Sequence, residues 1–138
     1  MATEILINDG GAPARILPFT AGSSISAGDY CVIGSDGEID KIGTDTVLDG
    51  HEGLGVSLIA STSGNIGSVI TGHGVVLNTL VSGTAGDLAG VVAIGDSLAT
   101  SANGFLMKAY TTHLSGSVVA IALEAQTGGE GLAKVLTL

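Results

Sequence analysis

Apolar residues alternate with small or polar ones in short bursts along this chain, and most bursts are closed by glycine beside an acidic or amide side chain. The stretch "GLGVSLIA" (53 to 60) sets Leu54, Val56 and Leu58 against Gly55, Ser57 and Ile59. Similarly, "SVVAIALEA" (117 to 125) sets Val119, Ile121 and Leu123 against Ala120, Ala122 and Glu124. Period two places each set on one face of a strand. Turn signals recur every 8 to 12 residues or so, the spacing of small β sandwiches and barrels. No convincing stripe at the helical period runs through the chain. One short helical turn is assigned near Ala85 to Ala89, inside an apolar connector.

The pattern repeats. When "AGDYCVIGSDGEIDKI" (27 to 42) is set beneath "IGDSLATSANGFLMKA" (94 to 109), Gly28-Asp29 falls on Gly95-Asp96 and Asp36-Gly37 on Asn103-Gly104, each pair 67 residues apart. Asp-Gly and Asn-Gly between apolar runs predict hairpins with type I′ turns, because both central positions of such a turn need positive φ. After each hairpin, "GLGVSLIASTSGNIGSVIT" parallels "SVVAIALEAQTGGEGLAKVLTL" as strand, Gly-rich turn, strand.

The predicted fold is therefore all-β: a small sandwich or barrel of about eight short strands, built from two similar halves, with an extended N-terminal arm. The arm covers 1–26, and residues 27–138 form a single β-domain with the repeat over 27–74 and 94–138. The arm and the connector 75–93 stand outside the repeat. Both prolines, Pro13 and Pro18, fall in the arm, so no proline interrupts the body.

Composition sharpens this picture. Hydrophobic residues make up 45% of the chain and aromatics only 3%, with 23 glycines, so small side chains must do most of the packing. Thirteen acids against four bases give a net charge of −9 without any Lys/Arg cluster, which argues against a direct nucleic-acid partner. The lone Cys31 sits in an apolar run, where a buried thiol is expected. The start lacks a basic segment followed by a long apolar core, and no apolar run approaches the roughly 18 residues of a membrane helix. No membrane partner is expected, and synthesis is assigned to a reducing cytoplasm.

Catalytic candidates are weak. Gly95-Asp96-Ser97-Leu98 is the tetrad by which one large esterase family is known. Those enzymes carry it near the start of an α/β domain and carry an Asp-x-x-His pair near the end; here Tyr110 stands where the acid should precede His113. The repeat places Tyr30 opposite Ser97 and retains Gly-Asp, so the pair is read as a turn whose Asp accepts from nearby backbone N–H groups. "GHEGLG" (50 to 55) leads into a strand and has no phosphate-binding lysine. His51, His73 and His113 share no spacing, and Asp36, Glu38 and Asp40 do not complete a calcium loop, since position 12 is Val47. No catalytic residue, metal site or cofactor is assigned, and the chain is expected not to be an enzyme.

The Pro-containing apolar arm, the Gly-Asp hairpin and the strands "GLGVSL", "VAIALEA" and "AKVLTL" together resemble the capsid decoration, or cement, proteins of tailed bacteriophages. That resemblance implies a small β-rich structural protein of the virion. It would be a homotrimer on the outer capsid surface, made in the host cytoplasm, with the major capsid protein as partner. Ile5, Leu6, Ile7, Arg15, Ile16 and Leu17 are then the candidate capsid contacts. The first three either add a strand to an edge on a shell subunit or form the first strand of the domain itself. Val75 to Leu80 and Val91 to Ile94 either seal the trimer or fill the monomer's own core. Another virion component, such as a head-fibre or tail subunit, and a small ligand-binding barrel are the alternatives.

Overall fold

The computed structural model describes residues 5–8, 14–42, 53–83, 91–100, 104–109 and 118–138. They form eleven strands: β1 (Leu6–Asn8), β2 (Arg15–Thr20), β3 (Tyr30–Ile33), β4 (Ile39–Lys41), β5 (Gly53–Ser57), β6 (Ile66–Thr71), β7 (Val76–Ser82), β8 (Ser97–Thr100), β9 (Leu106–Lys108), β10 (Val118–Ala122) and β11 (Glu130–Thr137). The fold is all-β. One sheet runs β2-β6-β5-β3-β4, and a parallel bridge from Ala21 to Ile39 brings its two ends together. The other runs β7-β11-β10-β8-β9, and the parallel pairing of Val81 with Leu106 closes it into a five-stranded barrel. Counted from the first strand of each half, the two orders are identical. β1 is an addition, paired antiparallel to the outer edge of β7.

The equivalence reaches single hydrogen bonds. In the first half Ile25 and Ser61 exchange backbone bonds; Val92 and Gln126 do so in the second. Ile42 N–H donates to Tyr30 O, and Ala109 N–H to Ser97 O. Interior positions correspond too: Ala21 with Val81, Ile25 with Val92, Cys31 with Leu98, Ile39 with Leu106 and Val69 with Val135, none more than 3% exposed. Each buried aliphatic of this size stabilises by about 1.5–3 kcal/mol relative to leaving it in water.

Two sequence expectations are corrected. The stretches 15–20 and 76–82, read as lying outside the repeat, are the first strands of the two halves, β2 and β7. The first hairpin is not a two-residue type I′ turn. Gly37 N–H donates to Gly34 O and Gly34 N–H to Glu38 O, with Gly37 at φ 83°, a three-residue loop ending on a left-handed glycine. In the two alternating strands, Val56 apart, the small residues are buried more deeply than the large ones. Gly55, Ser57, Ala120 and Ala122 are buried, while Leu54, Val119 and Ile121 are half-buried and Leu123 is exposed. The helical turn expected near Ala85 to Ala89 lies outside the described residues.

The halves are joined through shared packing. Tyr30, Val32, Ile42, Val56 and Ile70 of the first half belong to one cluster with Leu77, Val81, Leu98, Leu106 and Val135 of the second. Gly53 has no side chain because the Tyr30 ring occupies that space. The carbonyl of Gly28 accepts from Leu80 N–H at 2.9 Å and from Thr79 Oγ1 at 2.8 Å, tying the first turn to β7.

Candidate interaction surface

The Gly-Asp pairs build the same turn twice. Asp29 N–H donates to Ser26 O, Gly28 lies at φ 92°, and Asp29 Oδ2 accepts from Ser26 N–H at 2.9 Å. Asp96 N–H donates to Ala93 O, Gly95 lies at φ 92°, and Asp96 Oδ2 accepts from Ala93 N–H at 2.9 Å. Positive φ at the third residue is the mark of a type II turn, which is why glycine recurs there.

The two aspartates differ in electrostatics. Asp96 is held below the ordinary carboxylate range, chiefly by the Ala93 N–H, with Lys108 at 3.1 Å adding to it against the effect of burial. Asp29 is buried, and desolvation pushes its carboxyl up despite the Ser26 hydrogen bond and the charge of Lys41. Ser97 is the exposed first residue of β8. The tetrad thus serves the turn, with Asp96 engaged by Ala93 and Lys108. Tyr110 and His113 lie outside the described residues, as does His51. His73 is exposed, its Nδ1 against Leu138 O at 2.6 Å.

Asp36 Oδ1 caps its own loop by accepting from Glu38 N–H at 3.0 Å. Among the described residues no group of three His, Cys, Asp or Glu side chains could hold a metal ion. The barrel interiors are filled by the paired core residues named above. A cleft of about 590 Å³ lies between the halves, where Tyr30, Val56 and Val119 meet Arg15, His73 and Thr137.

What the surface offers is apolar. Of the contact residues named from the sequence, Ile5 is buried in the chain's own core and Leu6 is half-buried against it, whereas Ile7, Arg15, Ile16 and Leu17 are exposed. Val75 and Leu77 are buried in the monomer. Val91 and Ile94 are not: Ile94 is 71% exposed. Ile59 and Ile66 on the first half are exposed as well. Val91 to Ile94 were named from the sequence, Ile59 and Ile66 were not; the repeat adds a signal at Ile94, which stands where the first half has Ala27.

No family model matches the chain, and no curated protein does. Among solved structures it is similar to the head fiber gp8.5 N base of bacteriophage phi29, with 15% identity and a TM-score of 0.58 over 91% of this chain and 95% of that one. The two share a fold. The likeness takes in both halves of the chain.

Proposed function

We propose that this chain is a non-enzymatic structural protein of a phage virion that binds the outside of the head. The observation that carries the reading is the shared architecture with a phage head fibre base, matched over nearly the full length of both chains. The exposed apolar side chains Ile16, Leu17, Ile66 and Ile94 suit contacts with a shell subunit or with further copies of the chain. In this reading the protein is a homotrimeric decoration protein, its partner is the major capsid protein, and it uses no cofactor. The acidic balance fits a protein face rather than a nucleic acid. A fibre base is the second reading, favoured because the match covers 95% of such a base.

Co-sedimentation with undecorated expanded shells tests the proposal. Saturable binding that raises the temperature at which shells rupture is expected of a decoration protein. Saturable binding without added shell strength points to the fibre base. A chain that ignores shells at every concentration overturns both.

A further inference from the structure

The two halves present equivalent first strands, β2 and β7, yet only β7 carries an added strand among the described residues. The bond pattern fixes which backbone groups face outward. Ala21 N–H donates to Asn65 O on the β6 side and Gly22 N–H to Ile39 O on the opposite side, so the N–H positions of 16, 18 and 20 lie on the outer edge of β2. On β7 the outward donors are seen directly, Asn78 N–H to Ile5 O at 2.7 Å and Leu80 N–H to Gly28 O.

The pairings Ile16 with Ile70 and Val76 with Leu136 set the equivalence, together with the bridges Ala21–Ile39 and Val81–Leu106. Residue 18 then corresponds to residue 78. Where β7 has Asn78, whose N–H holds β1, β2 has Pro18, which has no N–H to give. The remainder of that edge suits an apolar strand: Ile16 and Leu17 are 46% and 38% exposed, against 1% for Leu77 at the position equivalent to Leu17.

We infer that the outer edge of β2 is a latent second acceptor for the segment Ile5–Asn8 of another copy of this chain, and that Pro18 keeps it closed. The Pro18/Asn78 difference tells β1 which of two similar edges to take. Docking of one copy's β1 on the next copy's β2 would be head-to-tail with no need to close, so an open edge here would drive fibre growth. Proline on an edge strand, with its missing donor outward, is a recurrent way of preventing this.

The test uses the full chain as Pro18→Asn, with a labelled peptide of sequence TEILIND (residues 3 to 9) as probe. Pro18 is exposed, so the exchange removes no core contact. The variant is expected to bind the peptide about tenfold more tightly than the parent, the scale of one strand hydrogen bond. Its mass in light scattering should grow with concentration beyond that of the parent. Ile16→Pro added to the variant should abolish both effects by removing the neighbouring outward donor. Equal peptide affinity and equal mass in parent and variant would overturn the inference, as would binding that survives Ile16→Pro. If Pro18→Asn does not fold, Pro18→Ala restores the same N–H and is read by the same outcomes.

Discussion

Gly104 lies on the Asp29 carboxylate: a Cβ at residue 104 would come within 3.1 Å of Asp29 Cγ and Oδ1 and of Lys41 Cβ. Gly104 N–H also donates to Ile42 O, so the tip of the second hairpin is clamped onto the first half. The equivalent glycine of the first hairpin, Gly37, has nearly the same φ, 83° against 82°, but no atom within 4 Å of its would-be Cβ. Both Gly→Ala changes meet the left-handed strain of about 1 kcal/mol; Gly104→Ala should lose about 1–2 kcal/mol more, from overpacking between the halves. Urea denaturation of the two variants measures the difference. Equal losses would mean that the contact yields freely.

The split between the twin aspartates predicts opposite pH behaviour. Asp29 has a raised folded pKa, so its contribution to stability is present below the ordinary carboxylate value and is lost as pH rises through the folded one. For Asp96, whose folded pKa is lowered, the contribution is present above the ordinary value and is lost as pH falls through the folded one. Carboxyl-carbon NMR titration should place the two midpoints on opposite sides of the ordinary value. Asp29→Asn keeps an acceptor for Ser26 N–H, and its stability relative to the parent should improve as pH rises through the Asp29 midpoint.

Cys31 should be chemically silent in the folded protein. It is fully buried in the first barrel, and desolvation, with the Asp29 charge next, pushes its thiol up to about 12. Thiolate is the reacting form, so a disulfide reagent at pH 8 should label it only at the rate of unfolding. Fast labelling without denaturant would show that the barrel opens.

Ser97→Ala should be neutral. The side chain is exposed, so stability should change by no more than about 0.5 kcal/mol, and turnover of a p-nitrophenyl ester should be absent in parent and variant alike. Ester hydrolysis that disappears with the serine would refute the non-enzymatic reading.

The parts of the fold legible in the sequence were those that only glycine can build. Gly28 and Gly95, and Gly37 and Gly104, all sit at φ between 82° and 92°, and their shared spacing revealed the two halves. The first strands were hidden because their spacing differs: residues 16–21 and 76–81 are offset by 60, not 67, and β2 carries an exposed proline where β7 is covered by β1. Alternation separates two faces of β5 and β10 but does not say which is inside; the buried set is Gly55, Ser57, Ala120 and Ala122, together with Val56. Of the contact residues named from the sequence, Ile5 and Leu6 were apolar because they serve the chain's own core. Val91 to Ile94, named as either a trimer seal or core, are exposed at Val91 and Ile94.

Tyr30, Val32, Ile42, Val56 and Ile70 point away from the first barrel into the cluster that fills the second. The first half keeps a small inside of its own, Ala21, Ile25, Cys31, Ile39 and Val69, but the larger core is common to both, and a duplicated sequence need not yield two units that melt separately. Whatever its ancestry, the chain should gain or lose structure in one cooperative step, with calorimetric and van't Hoff enthalpies that agree.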